Sequence, residues 1–180
     1  MNNNGKNLWK KLDSKILFKH KRITLVEDTV EIPDGTKRKY LRYTKIPEAV
    51  SLICVSDKNE ILLEKEYSYP PNKILIQLPG GSVEKSETVE EAANRELEEE
   101  TGMSADTITK IGSYYMNNRK SNTKMHVCVC KDFTSKKKLN DPEEDVESFW
   151  VPERKVDELI SKGEIENPHL LASWSIYKNS

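Results

Sequence analysis

The first feature of the sequence that could do chemistry is a crowd of carboxylates between Gly80 and Met103, in the stretch GGSVEKSETVEEAANRELEEETGM. Carboxylate oxygens are the ligands that hard divalent cations prefer, and Mg2+ is often held by one or two of them together with substrate phosphates. A solvated acidic helix face is the alternative interpretation of such a run. The positions of the acids around the helix decide between the two.

The acidic stretch carries the signals of a helix with defined ends. Thr88 and Glu91 fit a capping box, so a helix is predicted to begin near Val89 and to run to about Thr101. Gly102 suits the left-handed conformation that often ends a helix. At about 100° per residue, three acids fall within the apolar, inward stripe of this helix. These acids are Glu96, Glu99 and Glu100, and the stripe comprises Val89, Ala92, Ala93 and Leu97.

Acids on the inward stripe are unfavourable without a compensating positive charge. Like charges at helical spacing cost roughly 0.2 to 0.5 kcal/mol per pair, and each acid near the C-terminus opposes the helix dipole by roughly 0.3 to 1 kcal/mol. The sum, about 1 to 4 kcal/mol before desolvation, is a large share of typical net stability. A solvated face explains Glu90, Glu91 and Glu98 but not the inward acids. We therefore interpret the helix as built to bind a divalent cation.

Composition narrows the class of protein. A chain of 180 residues suits one ordinary domain. Lys+Arg 29 against Asp+Glu 30 leaves a formal net charge of -1, so global charge favours no nucleic-acid partner. No apolar run approaches the roughly 18 residues of a membrane helix, and the start MNNNGKNLWKK lacks a signal-peptide core. We expect a cytoplasmic protein with no membrane partner, and the three cysteines, which lack disulfide or zinc-ligand spacing, agree.

Strand patterns surround the acidic helix. Residues 1 to about 15 look like a loose polar leader with one possible anchor, Trp9. RITLVEDTVEI and KRKYLRYT flank the turn Pro33-Asp34-Gly35, which predicts a hairpin. Further strands are predicted at AVSLICV, ILLEKEY, ILIQL, KIGSYYM, KMHVCVC and VESFWV. Two more helices are predicted, one in PERKVDELISKG, ending at Gly163, and one beginning at Asn167-Pro168.

The spacing of the acidic segment resembles the Nudix box. Gly81, five residues, Glu87, seven residues and then RELEEETGM, from Arg95 to Met103, match its defining positions. The resemblance implies an α/β fold, an α/β/α sandwich with a mixed sheet, and hydrolysis of a nucleoside diphosphate linked to another moiety with Mg2+ or Mn2+. It implies that the metal ligands are Glu96 and Glu100, assisted by Glu99 and the Gly80 carbonyl, that Arg95 orients the acids, and that Gly81, Glu87 and Gly102 support the loop.

The likeness extends over roughly residues 20 to 178, to the ADP-ribose and nucleotide-sugar pyrophosphatase branch of the family. It implies that residues 1–45 form a tail and strand region used for homodimerisation and the substrate pocket, and that residues 46–180 form the hydrolase domain. Tyr40 becomes a candidate for stacking on the base, and Arg119 and Lys124 become candidates for phosphate contacts. The general base remains open between Glu99 and two acids of the loop NDPEEDVESF, Glu143 and Glu144.

Three departures separate the chain from the ADP-ribose pattern. Glu66-Tyr67-Ser68 replaces the usual Gln-aromatic-Arg, Gln77 stands where an acid is usual, and YYMNNRKSNTKMH lacks a proline common in that branch. ADP-ribose, to be cleaved to AMP and ribose 5-phosphate, is the first substrate hypothesis. GDP-mannose, dinucleotide polyphosphates, damaged nucleotides and a non-catalytic nucleotide-sensing module are the alternatives.

Overall fold

The computed structural model describes residues 8–135 and 146–180, and within these ranges the chain forms nine strands and three helices. They divide into two compact units. The first comprises Met1–Ile46 and Tyr115–Thr123, and the second comprises Pro47–Tyr114 and Lys124–Ser180. No helix within the described ranges is long and apolar enough to cross a membrane.

The first unit contains an antiparallel sheet of three strands in the order β1-β2-β3. The strands are β1 (Lys10–Lys19), β2 (Thr24–Glu31) and β3 (Lys37–Thr44). The predicted hairpin is β2 with β3. The predicted loose leader is wrong for residues 10–15, which belong to β1. Residues 10–19 are extended because their backbone pairs with β2 along the strand, a contact that the local polarity of the sequence does not reveal.

The second unit is layered. Its strands are β4 (Ala49–Cys54), β5 (Glu60–Ser68), β6 (Lys73–Gln77), β7 (Met103–Tyr115), β8 (Lys124–Ser135) and β9 (Val146–Pro152). One sheet has the order β4-β8-β7 with β4 parallel to β8, and the other has the order β6-β5-β9 with antiparallel pairing. The helices are α1 (Val89–Thr101), α2 (Glu153–Ser161) and α3 (Pro168–Tyr177).

Two apolar clusters fill the second unit, because successive side chains of a strand point to opposite faces of its sheet. Leu52 and Cys54 of β4 pack in the cluster that contains Leu97 of α1, while Ile53 packs in the cluster that contains Trp174 of α3. Helices thus cover both faces, and the predicted α/β/α sandwich is confirmed. The buried thiols of Cys128 and Cys130 belong to the α1 cluster, as their shared strand face predicts.

The ends of α1 are those that its sequence predicts. Thr88 and Glu91 form the reciprocal capping box, and Gly102 ends the helix with φ 71. Asn167 caps α3 ahead of Pro168, also as predicted. α2 ends at Ser161, two residues before Gly163, which has φ 71. These termini are set by contacts within one turn of helix, and the sequence displays such contacts directly.

Candidate active site

A glycine turn carries the first part of the site. Segment 79–83, which follows β6, is pinned to β4 by backbone hydrogen bonds of 2.8 Å from Leu52 N–H to the Pro79 carbonyl and from Val50 N–H to the Gly81 carbonyl. Gly80 has φ 145, and a Cβ atom there would lie 2.2 Å from the Val50 carbonyl oxygen. Only glycine fits that position, so the turn approaches β4 and α1 more closely than any other residue would allow.

The acids of α1 differ in their exposure. Glu100 is buried, and its Oε2 accepts the Gly80 N–H at 2.9 Å. The side chain of Glu96 is 13% exposed, and its carboxyl group lies where a Cβ on Gly81 would approach it to 2.4 Å. The side chain of Glu99, which helical geometry predicts within the inward stripe, is 39% exposed. Glu96 and Glu100 therefore face the glycine turn, while Glu99 lies at the rim.

Arg95 holds the acids together. Its Nε and Nη2 donate to the two oxygens of Glu87 at 2.6 and 3.0 Å, and its Nη1 donates to Glu96 at 2.9 Å and to Glu99 at 3.0 Å. Nη2 also donates to the Ser82 carbonyl at 2.8 Å. The Glu87 hydrogen bonds are the largest cause of a raised pKa of Arg95, and the same contact lowers the pKa of Glu87. The guanidinium thus offsets the repulsion that the sequence predicts among these acids.

The arrangement suits a cation whose coordination shell is completed by ligands from outside the protein. Within residues 8–135 and 146–180, no group of three His, Cys, Asp or Glu side chains could hold a metal ion by itself. Mg2+ commonly takes only one or two protein carboxylates and fills its octahedron with water and substrate phosphates. Glu96 and Glu100 lie one turn apart beside the glycine turn. The donor set therefore fits a hard divalent cation together with a phosphorylated ligand.

The predicted substrate and base residues fall in several places. Tyr40 and Arg119 lie in the first unit, where they line a cavity of about 320 Å3 and the Tyr40 hydroxyl donates to the Arg119 carbonyl at 2.6 Å. Lys124 is the first residue of β8 in the second unit. Glu143 and Glu144 lie outside the described residues.

Two of the departures noted in the sequence contact one another. The Gln77 amide nitrogen donates to Glu66 at 2.5 Å, and its oxygen accepts from Asn167 at 3.3 Å. Asn167 in turn caps α3 through His169 N–H. Gln77 also lines a cavity of about 90 Å3 beside Gly80, which has room for only a few water molecules.

Sequence reasoning missed the buried acid Glu64 of β5, which lies in the second unit. Its side chain is 0% exposed, and one oxygen accepts from the Ser148 hydroxyl at 3.2 Å. A hydrogen bond with Cys130 and burial raise the pKa of Cys54, and the charges of Glu64 and Glu100 raise it further. The available signal was a glutamate inside the apolar run ILLEKEY.

Comparisons with known proteins identify relatives of this chain. The chain is 31% identical over 153 residues to an ADP-ribose pyrophosphatase of Bacillus subtilis, covering 83% of this chain and 81% of that protein. It is 30% identical to a methanol dehydrogenase activator of Bacillus methanolicus, covering 76% and 73%. It is 32% identical to the ADP compounds hydrolase NudE of Escherichia coli, covering 62% and 60%.

A solved structure shares the fold of this chain. This structure, described as the crystal structure of ADP compounds hydrolase, superposes with a TM-score of 0.87 at 22% identity, covering 96% of this chain and 94% of the other. At that identity the likeness speaks for the fold alone. The NUDIX domain profile matches residues 45–173, which include the glycine turn and the whole of α1. The chain therefore belongs to the Nudix hydrolase family.

Proposed function

We propose that this enzyme hydrolyses the diphosphate bond of ADP-ribose or a related nucleoside diphosphate sugar, with Mg2+ or Mn2+ as cofactor. The observation that carries the proposal is the placement of Glu96 and Glu100 beside the Gly80–Gly81 turn. The names of the relatives from Bacillus subtilis and Escherichia coli support the substrate class. With ADP-ribose, water adds to one phosphorus, the bridging P–O bond breaks, and the products are AMP and ribose 5-phosphate.

Different residues of the chain have different roles in this proposed reaction. Glu96 and Glu100 would hold the cation with help from Glu99 and the Gly80 carbonyl. When bound, the cation supplies charge neutralisation for the diphosphate and activation of the attacking water. Arg95 keeps the acids oriented, since it bridges Glu87 to the acids of α1. The close approach of Gly81 to Glu96 fixes one ligand against the turn.

The general base is proposed among three acids. Glu99 is one, because its half-exposed carboxylate lies at the rim of the site and already accepts a hydrogen bond from Arg95. Glu143 and Glu144 are the others. A base must come within hydrogen-bond reach of the attacking water, directly or through one further water.

We propose which bond is cleaved, the diphosphate bond, but allow more than one group to be attached to it. Gln77 and Glu66 bind each other, so an amide and its partner stand where the ADP-ribose pattern has an acid and a glutamine. Because the sequence departs from the ADP-ribose pattern at these positions, a related nucleoside diphosphate sugar such as GDP-mannose is the second candidate. Tyr40, Arg119 and Lys124 remain proposed contacts to the base and phosphates.

We further propose a cytoplasmic homodimer that uses residues 1–45. Apolar side chains are exposed along β1, among them Ile16 at 60%, Leu17 at 44% and Phe18 at 56%. An exposed strand edge with apolar side chains favours pairing with another chain. The three cysteines are unbridged, as is usual in a reducing compartment. Sedimentation of the chain with and without residues 1–19 tests the dimer, and a monomer at micromolar concentration of the full chain contradicts it.

The activity is tested with a panel of nucleotides. The purified chain is incubated with ADP-ribose, GDP-mannose, a dinucleotide polyphosphate and an oxidised nucleoside triphosphate, with Mg2+, with Mn2+ or with EDTA. We expect metal-dependent cleavage that is fastest for a nucleoside diphosphate sugar. Glu96→Gln should abolish it, whereas Glu98→Gln, the same change on the outer side of α1, should preserve it. Retention of full activity by Glu96→Gln would contradict the proposed site.

The products then identify the bond. Hydrolysis in 18O-labelled water places the label on the phosphorus that is attacked, and mass spectrometry of the two products reads it. A label on neither product, or cleavage outside the diphosphate, would exclude the proposed reaction. Tight nucleotide binding without turnover would instead indicate the non-catalytic sensing module.

A further inference from the structure

A buried histidine outside the acidic helix contacts a glutamate that precedes β4. His126 of β8 is 5% exposed, and its Nε2 lies 2.7 Å from Oε2 of Glu48. In the parallel pairing of β4 with β8, His126 is opposite Val50, so its side chain faces the same side as α1. Its Nδ1 is buried and has no hydrogen-bond partner within the described part of the chain. A buried polar atom without a hydrogen-bond partner lowers the stability of the fold. A function of this imidazole would explain why it is present.

The contact restrains the residue that anchors the glycine turn. Glu48 directly precedes β4, and its main-chain carbonyl accepts the Val83 N–H at 2.8 Å. Its side chain is 50% exposed and would be free to move in water without His126. His126 thus ties Glu48 to the central strand β8, and Glu48 ties down the far end of segment 79–83.

The turn has little tolerance for displacement. Gly80 N–H reaches Glu100 at 2.9 Å, and Gly81 leaves no room for a Cβ atom beside the Glu96 carboxyl group. A shift of segment 79–83 by a fraction of an ångström would therefore change the relation of the turn to both acids. Glu48, which holds the end of this segment, therefore controls the distance between the glycine turn and the two acids.

We infer that His126 and Glu48 form a positioning pair that sets the glycine turn against the metal-binding acids of α1. The catalytic part of this inference rests on the proposed function, whereas its structural part concerns the metal-free chain. A proton on Nε2 of His126 satisfies the contact with Glu48 and leaves Nδ1 as a bare lone pair, which is less costly than an unpaired N–H donor. The inference therefore includes the Nε2–H tautomer.

Two substitutions of His126 separate positioning from packing. His126→Gln keeps a donor near the place of Nε2, whereas His126→Leu fills the site with an apolar side chain and removes the donor. A purely structural histidine in an apolar cluster would be replaced well by leucine, because the unpaired Nδ1 disappears. A positioning histidine would be replaced better by glutamine.

The first readout needs neither metal nor substrate. Amide hydrogen exchange in the metal-free protein should show the Val83 N–H exchanging at least about fivefold faster in His126→Leu and Glu48→Ala, and within about twofold of wild type in His126→Gln. The 15N shifts of the His126 ring should report the Nε2–H tautomer. Unchanged Val83 protection in His126→Leu, or a proton on Nδ1, would overturn the inference.

The second readout is the Mg2+ dependence of turnover. We expect half-saturating Mg2+ to rise about threefold to tenfold in His126→Leu and Glu48→Ala, below the roughly tenfold to hundredfold effect of groups that bond a metal ligand directly. The double variant should resemble the single ones, since the two residues act as one unit. His20→Ala, at an exposed histidine, is the matched control. Additive effects, or an unchanged Mg2+ response in an active enzyme, would overturn the inference, while an inactive wild type would defeat only the proposed function.

Discussion

Replacing Gly81 by alanine tests the geometry of the metal site with a single methyl group. The new Cβ would lie 2.4 Å from the Glu96 carboxyl carbon, and ordinary contact begins at 3.4 Å, so this carboxyl group must retreat by about 1 Å. A displacement of that size in a positioned group can lower a rate about a hundredfold. We expect a loss of kcat/KM of that order, equivalent to about 2.7 kcal/mol of transition-state stabilisation.

The fold should tolerate this change. The atoms in the way are the far end of a flexible side chain, and the backbone of Gly81 is outside the left-handed region. We expect a stability loss of about 1 kcal/mol or less, which is roughly 2 to 4 °C in Tm for a chain of this size. Arg95 should still bind Glu87, since that contact does not involve Glu96.

The assay combines metal titration of turnover with thermal unfolding. Gly35→Ala is the control, because Gly35 has φ +84 with nothing within 4 Å of a new Cβ. It should lower Tm through backbone strain and leave the Mg2+ response unchanged. Wild-type kcat/KM in Gly81→Ala across the Mg2+ titration would refute the reasoning, because the Glu96 carboxyl group would then be able to move without consequence.

Further predictions concern charge. Glu100→Gln should lower turnover by orders of magnitude while the circular dichroism spectrum stays native, and near wild-type rates at saturating Mg2+ would contradict it. Among Glu99→Gln, Glu143→Gln and Glu144→Gln, the variant of the general base should lose the alkaline plateau of its pH–rate profile, and unchanged activity removes a residue from the candidates. A hydrogen bond from Arg42 lowers the pKa of Asp28 in the folded protein. The ion pair therefore stabilises the fold at pH values above the unfolded-state pKa of Asp28, about 4. This stabilisation is lost as the pH falls through the lower pKa of the folded state. Asp28→Asn should therefore weaken the fall of Tm between about pH 4 and pH 2, and parallel Tm curves would exclude this role.

The helix that carries the site could be predicted to the residue. Thr88, Glu91 and Gly102 act within one turn of their own helix, and neighbours along the chain meet whatever the rest of the fold does. The inward placement of Glu96 and Glu100 followed from helical geometry for the same reason. The strand β1 was missed because its backbone bonds go to β2 rather than to neighbours in sequence.

Sequence by itself determined which chemistry the chain carries, through the types and the helical spacing of its acids. Tertiary structure decided which groups meet those acids. Gly81 approaches Glu96 across 15 positions of the chain, and the hydrogen bond of His126 with Glu48 spans 78 positions. Contacts over such separations depend on how the sheets and helices pack, because no local preference of a residue specifies its distant neighbours.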